Sequence, residues 1–397
     1  MPIFSLLFLM IGSRYCKAEN SPLVLVPGLL GSQLEAKLDR SSVIHSYCDK
    51  KSSWYTLWLS VEELVPFVIN CFVDNSRLVY NNKTSNFSNV PGVSIRVPGF
   101  GNTSTIEYLD PSVEGSGVGD YFNKLVSAMK TIGYKPGISI RGAPYDWRQA
   151  PQFMPQLYTN LQHLIEETYS LNNKKKIVLL SHSLGCLHTL YFLTHAVSSQ
   201  WKAQYLRFWI PIAGPWAGSA QLLKSFASGG NEDIVFVDPL TVRPQQRSFP
   251  STAWLVPTPS VWNKSPVIIT PNRNFTVTEY HDFFQAVGYP FGEVMVNMVS
   301  NITQSLPLPG VPVYCVHGYN VSTPSQFVYD DQFPNSQPTI LNGNGDGTVN
   351  LESLVLCKNW ERKQKGKVIV TVVPNVKHFD LVSNDDVIKY VQTLVKL

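Results

Sequence analysis

The chain has 397 residues, of which 44% are hydrophobic, 12% aromatic and 15% charged. That is enough for a large single domain with insertions or for two domains, and it suits a compact globular protein that also exposes apolar surface. The net charge of +4 comes from scattered basic residues, and the one cluster, Lys174 to Lys176, merely precedes an apolar run, so a nucleic-acid-binding surface is excluded.

Residues 1–18 read as a secretory signal. The apolar core from Ile3 to Gly12 is too short to span a bilayer, and Cys16, Lys17 and Ala18 form a small-x-small cleavage site. No later stretch is long and apolar enough to cross a membrane. Seven Asn-x-Ser/Thr acceptors follow, at Asn82, Asn86, Asn102, Asn263, Asn274, Asn301 and Asn320, which agrees with passage through the secretory pathway. Five cysteines remain beyond the signal. Joining Cys48 to Cys71 and Cys315 to Cys357 is one local arrangement and leaves Cys186 alone; spacing by itself leaves the connectivity open.

Leu23 to Val26 reads as a short, fully apolar strand, ended by Pro27 and Gly28, with a turn over Leu29 to Ser32. From 33 to 74 the composition changes. Trp54, Leu57, Trp58, Leu64 and Phe67 crowd into a span bracketed by Cys48 and Cys71. These side chains either fill a core or form a tethered lobe that meets a lipid surface, where aromatic rings partition well. Residues 93–100 and 133–148 read as strands and loops of a core. Helical spacing begins at Tyr121 and runs to Met129, and a clearer amphipathic helix covers Leu157 to Tyr169.

The run Lys176 to Leu180 ends in a tight turn, Ser181-His182-Ser183-Leu184-Gly185, and a helix-compatible segment follows from Cys186 to about His195. Strand, small-x-Ser-x-small turn and helix form the sequence pattern of a nucleophile elbow. The residues two before and two after the serine must be small, so that its hydroxyl stands above the sheet edge at a helix N-terminus. Phe208 to Ala213 reads as the next strand. Residues 220–306 lack regular alternation and read as an irregular cap, with the polar stretch 229–251 as a mobile lid. Strands resume at Val311 to Val316 and Val368 to Val373, and a helix closes the chain from Asp385.

A serine is a weak nucleophile without a base, and the base needs an orienting acid. On sheets that carry a nucleophile elbow the chain order is Ser, then acid, then His. Asp346, with Gly345 and Gly347 on either side, is the candidate acid. His378, in the loop after the last strand, is the candidate base. Five of the other histidines lie at or before the elbow and its helix, and His317 precedes the acid. Asp380 is a rival acid, but it follows the histidine. Cys186, three residues beyond Ser183, reads as a packed thiol.

Taken together, the stretches Leu25 to Gly28, Gln33 to Asp39, Arg96 to Gly101, Ala143 to Arg148, His182 to Gly185 and Gly345 to Asn350 resemble the lecithin:cholesterol acyltransferase family across almost the whole mature chain. The resemblance implies an α/β fold with an α/β-hydrolase core over 19–32, 75–219 and 307–397. It implies a membrane-binding lobe over 33–74, with Trp58 at the interface, and a cap with lid over 220–306. It implies Ser183, Asp346 and His378 as catalytic triad, the backbone amides of Leu29 and Leu184 as oxyanion hole, and an unpaired Cys186 beside the site. The expected activity is that of a phospholipase A and O-acyltransferase. It would work without metal or organic cofactor, on a phospholipid membrane or lipoprotein, with water or a lipid alcohol as acceptor and no obligate protein partner. The expected location is the lysosome lumen or the cell exterior. A sterol acyltransferase is the alternative, and a silent lipid-binding protein on the same fold a third.

Overall fold

The computed structural model describes residues 20–397 apart from 115, 232, 233, 235, 263, 264, 304 and 305, with backbone alone at 301–303. The signal expected at 1–18 lies outside the described residues, as do Asn263 and the side chain of Asn301.

Six strands make the main sheet: β1 Leu23–Val26, β2 Ile140–Gly142, β3 Ile177–His182, β4 Leu206–Ile212, β5 Val313–Tyr319 and β6 Val368–Pro374. Their order is β6-β5-β4-β3-β1-β2, and every pairing is parallel. A parallel sheet needs both faces covered, which is why β1 and β3 are apolar at nearly every position rather than alternating. Leu23, Leu25, Val178 and Leu180 pack on one face with the helices Asn123–Thr131 and Asp385–Leu394. Val24, Val26, Ile177 and Leu179 pack on the other with Pro155–Leu171 and Leu184–Tyr191.

Helical spacing read from Tyr121 starts two residues early. The amides of Tyr121 and Phe122 donate instead to the carbonyls of Glu107 and Ile106, which turns both rings into the core. The helix after the elbow also differs from expectation. It is α-helical over Leu184–Tyr191 and widens to a π-helical turn over Phe192–Ala196, where the Thr194 hydroxyl donates to the carbonyl of Leu190.

The lobe is built on a three-stranded antiparallel sheet with Leu34–Leu38 between Tyr55–Trp58 and Val93–Arg96. Residues 93–96, expected in the core, therefore belong to this smaller sheet. The helix Val68–Ser76 runs past the expected boundary at 74. Cys48 and Cys71 are joined, as are Cys315 and Cys357, and Cys186 is unpaired and buried. Arg40 is buried and pairs with Asp74 at 2.6 Å and Asn75 at 2.8 Å.

The stretch expected to be irregular is about half helical. Among the described residues it carries Gln221–Ser228, Pro239–Ser248, Pro250–Trp254, Tyr280–Ala286 and Phe291–Thr303. Its prolines look like helix breakers, yet Pro239 and Pro250 each occupy a first helical turn, where no N–H is needed. The Asp238 carboxylate caps the amide of Leu240. Part of the expected lid, Pro239–Ser248, lies against the lobe: the hydroxyl of Ser76, the last residue of the lobe helix, donates to the side-chain oxygen of Gln245.

Candidate active site

At the carboxyl end of β3 the chain turns sharply. Ser183 has φ 53° and ψ −127°, outside the regions that side chains prefer, and Leu184 opens the following helix. The strain is sustained by close packing on both sides. A Cβ on Gly185 would lie 2.2 Å from the Pro27 carbonyl oxygen, and one on Gly28 would lie 2.8 Å from Cβ of Ser183. Only glycine fits either place, so the turn after β1 presses directly on the elbow. Ser181, where a glycine is usual, has a use for its hydroxyl: it accepts the Trp209 indole N–H at 2.8 Å and donates to the Cys186 sulfur at 3.3 Å.

Ser183 donates its hydroxyl proton to Nε2 of His378 across 2.8 Å. On the other side of the ring, Nδ1–H of His378 donates to Oδ2 of Asp346 across 2.7 Å. The His378 amide also donates to the Asp346 carbonyl at 2.8 Å. Oδ1 of Asp346 accepts the amides of Val349 at 2.7 Å and Thr348 at 3.1 Å. Those two bonds explain the glycine-flanked loop, which folds its own backbone around a fully buried carboxylate. Ser183 and His378 follow β3 and β6 of the parallel sheet, and Asp346 follows the strand Thr339–Gly345 of a separate antiparallel pairing, so side chains up to 195 positions apart in the chain converge. Asp380, the rival acid, is exposed.

Leu29 follows Gly28 in the turn against the elbow, and the Leu184 amide stands at a helix N-terminus with no intrahelical acceptor. Leu29 and Leu30 also line an apolar pocket, shared with Trp58, Leu64 and Phe72 of the lobe and Val242 and Phe249 of the cap. Cys186 is enclosed by the carbonyls of Ser181 and Ile212, and burial pushes its thiol up to about 12, so it stays protonated. Among the described residues no cluster of His, Cys, Asp or Glu is arranged to hold a metal ion.

The five lobe residues do not share one surface. Leu57 is fully buried and Trp58 and Leu64 nearly so, because the inner side of Tyr55–Trp58 and of the short turn Glu62–Leu64 packs into the main core. Expecting all three at a membrane overlooked that a small lobe must bury an apolar face of its own. Trp54 is partly exposed under the Arg96 guanidinium, 4.3 Å from the ring centroid. Phe67 is 74% exposed, beside exposed Val65 and Val68. Two further contacts escaped sequence reasoning. Trp58 donates its indole N–H to the Leu30 carbonyl. His182, set aside by chain order, lies against His378 with ring centroids 4.8 Å apart; a histidine next to Ser183 was the available signal.

The family model described as lecithin:cholesterol acyltransferase matches residues 54–306 and 293–388. The chain is 41% identical to "Lysosomal phospholipase A and acyltransferase" of Canis lupus familiaris, over 99% of this chain and 95% of that one. It is equally identical to the Homo sapiens protein of the same name, over 98% and 94%. It is 38% identical to "Phosphatidylcholine-sterol acyltransferase" of Gallus gallus, over 96% and 92%. Among solved structures, one titled "The crystal structure of Tle4-Tli4 complex" shares the fold at a TM-score of 0.51 and 13% identity, over 95% of this chain and 99% of that one. With that sequence match and this arrangement of sheet, elbow and cap, the chain belongs to the lecithin:cholesterol acyltransferase family.

Proposed function

We propose that this chain is a serine-dependent phospholipase A and O-acyltransferase. It removes a fatty acyl chain from a glycerophospholipid through an acyl-serine and passes it to water or to a lipid alcohol such as ceramide. The single observation that carries this reading is the hydrogen-bonded relay Ser183–His378–Asp346.

The chemistry follows from the geometry. Oγ of Ser183 attacks the ester carbonyl carbon while Nε2 of His378 takes its proton. Asp346 holds the ring with Nδ1 protonated and stabilises the imidazolium that forms. The amides of Leu29 and Leu184 hold the developing oxyanion. As the tetrahedral species collapses, the lysophospholipid leaves as an alcohol, taking the proton from His378. Water or a lipid alcohol then gives its proton to the same nitrogen, attacks the acyl-serine, and releases the free acid or the new ester as Ser183 recovers its proton.

The exposed Trp54, Val65, Phe67 and Val68 support docking of the lobe on a phospholipid surface. No helix among the described residues is long and apolar enough to cross a membrane. Two disulfides suit an oxidising compartment, which together with the names of the relatives supports a place in the lysosome lumen or outside the cell.

The test is a product-resolved assay on phosphatidylcholine vesicles containing ceramide or cholesterol. The parent protein should release fatty acid and form acylceramide, and Ser183→Ala should do neither. Turnover retained by Ser183→Ala rejects the scheme, and cholesteryl ester in excess of acylceramide moves the protein to the sterol branch.

A further inference from the structure

Behind the relay lies a second chain of hydrogen bonds that no step of the proposed reaction uses. The Gly28 amide bonds to the Tyr121 phenolic oxygen at 2.9 Å. That oxygen lies 2.6 Å from Nδ1 of His182. Nε2 of His182 lies 3.1 Å from the main-chain oxygen of His378. Tyr121, His182 and His378 are all buried.

One placement of protons satisfies every contact. The Gly28 amide can only donate, and the His378 carbonyl can only accept. Nε2 of His182 therefore carries the hydrogen, and in a neutral ring Nδ1 is then the acceptor. The Tyr121 hydroxyl, having accepted from Gly28, donates to that Nδ1. The chain has a direction, and each member is committed at both ends. A neutral His182 is also what the site needs. A cation on that ring, 4.8 Å from His378, would oppose the imidazolium formed during turnover. Burial, and then the charge on His378, hold the His182 imidazole well below the ordinary histidine range, while burial raises the Tyr121 phenol. The hydrogen-bonded groups that face His182 are Tyr121 and His378, with the Phe379 ring at 6.0 Å.

The two ends of this chain adjoin two parts of the proposed reaction. Gly28 immediately precedes Leu29, one of the oxyanion amides of the proposed reaction. His378 is its general base. Between them stands His182, covalently next to Ser183. We infer that Tyr121 and His182 are positioning residues that fix the oxyanion turn and the histidine loop to a common reference beside the nucleophile. The inference rests on the roles proposed for Ser183 and His378. Neither positioning residue touches substrate, and both acylation and deacylation depend on them, because each step needs oxyanion donors and base in register.

Tyr121→Phe removes both bonds of the phenol and leaves the ring. His182→Gln retains a donor at the ε position for the His378 carbonyl and removes the acceptor for Tyr121. His182→Asn does the reverse. The full-length protein and each variant are assayed on p-nitrophenyl butyrate, a soluble ester, with active sites counted by fluorophosphonate labelling and near-UV circular dichroism confirming the fold. Expected for Tyr121→Phe is a fall in kcat of roughly 10- to 100-fold, the scale of a small misplacement of reacting groups, with KM unchanged. In a His182→Gln background the same tyrosine change should cost less than about threefold, because the chain is already broken there. If Tyr121→Phe does not fold, His182→Gln is read by the same criterion. The inference is overturned if the single variants keep kcat within about twofold of the parent, if a rise in KM accounts for the loss, or if the two losses simply multiply. A parent without esterase activity would instead sink the role proposed for Ser183, so the two failures are distinguishable.

Discussion

The indole N–H of Trp58 donates to the main-chain oxygen of Leu30 across 2.8 Å, so the disulfide-bound lobe holds the turn that carries Leu29. Leu30 sits at φ 61°, a left-handed conformation that a leucine adopts only when its surroundings insist on it. Trp58→Phe keeps an aromatic ring against Phe72 and Trp147 and leaves the Leu30 carbonyl without its donor. A fully buried carbonyl left unpaired costs about 1–3 kcal/mol, and the half-buried Leu30 carbonyl should lose about the lower figure, enough for the turn to relax. The expected result is a fall in kcat of roughly tenfold on a soluble ester with KM little changed. An unaltered kcat would show that the lobe does not hold the turn at Leu29 in a way the reaction needs.

The Cys315–Cys357 bridge closes a segment of 42 positions that contains Asp346. In the chain-entropy account, closing a loop of this length stabilises the fold by about 4 kcal/mol. Asp346 is held separately, by the amides of Thr348 and Val349 and by the backbone of His378. Replacing both cysteines with alanine should therefore lower the free energy of unfolding in urea by about 3–4 kcal/mol while kcat at 25 °C stays near the parent value. A lost kcat in a folded variant would mean that the bridge itself aligns the acid.

Stability should fall on acidification, and His188 lets one contribution be isolated. It is buried between Tyr145, Tyr158 and Trp254, and burial pushes its imidazole down to about 3. Above about pH 6.5 the ring is neutral in both folded and unfolded chains and adds no pH dependence. Below that, the unfolded chain takes up a proton that the fold refuses, and stability falls by about 1.4 kcal/mol per pH unit down to the folded value. At pH 5 the loss is about 2 kcal/mol. His182 has the same sign. Glu63 has the opposite one: burial, then Asp49 and Glu62, raise its carboxyl to about 7, so its contribution is fully present at low pH and is lost as pH rises through that value. The loss of urea stability between pH 7.5 and pH 5 should shrink by about 2 kcal/mol in His188→Gln. An equal loss in parent and variant would show that the buried ring takes up its proton in the fold.

What could be read from the sequence was what local chemistry and chain order dictate. The elbow is local, since Ser183 needs small neighbours at Ser181 and Gly185. Asp346 was nominated by chain order and the glycines on either side, and His378 by chain order and the strand before it. The cap was misread because Pro239 and Pro250 start helices rather than stop them. The surface of the lobe could not be read because burial is a property of packing. Leu57 and Phe67 are equally apolar in the chain, yet one is enclosed and the other stands 74% exposed. The bond between Tyr121 and His182 spans 61 positions, and no periodicity announces it.

Phe67 supplies the most direct test of membrane docking. It precedes the helix Val68–Ser76 at φ 72°, a conformation unfavourable for a bulky residue and maintained by its surroundings. Its ring is turned outward, with Val65 and Val68 exposed beside it. Fully burying such a side chain is worth about 1.5–3 kcal/mol, and partial insertion at a headgroup boundary should give about half of that. Phe67→Ala should then weaken co-sedimentation with phosphatidylcholine vesicles roughly tenfold, the factor that corresponds to about 1.4 kcal/mol. Leu171→Ala is the control, because Leu171 is also exposed but ends the helix Pro155–Leu171 of the core, away from the lobe. If both changes weaken binding alike, the lobe is not the docking surface, and adsorption is a general property of the exposed apolar residues.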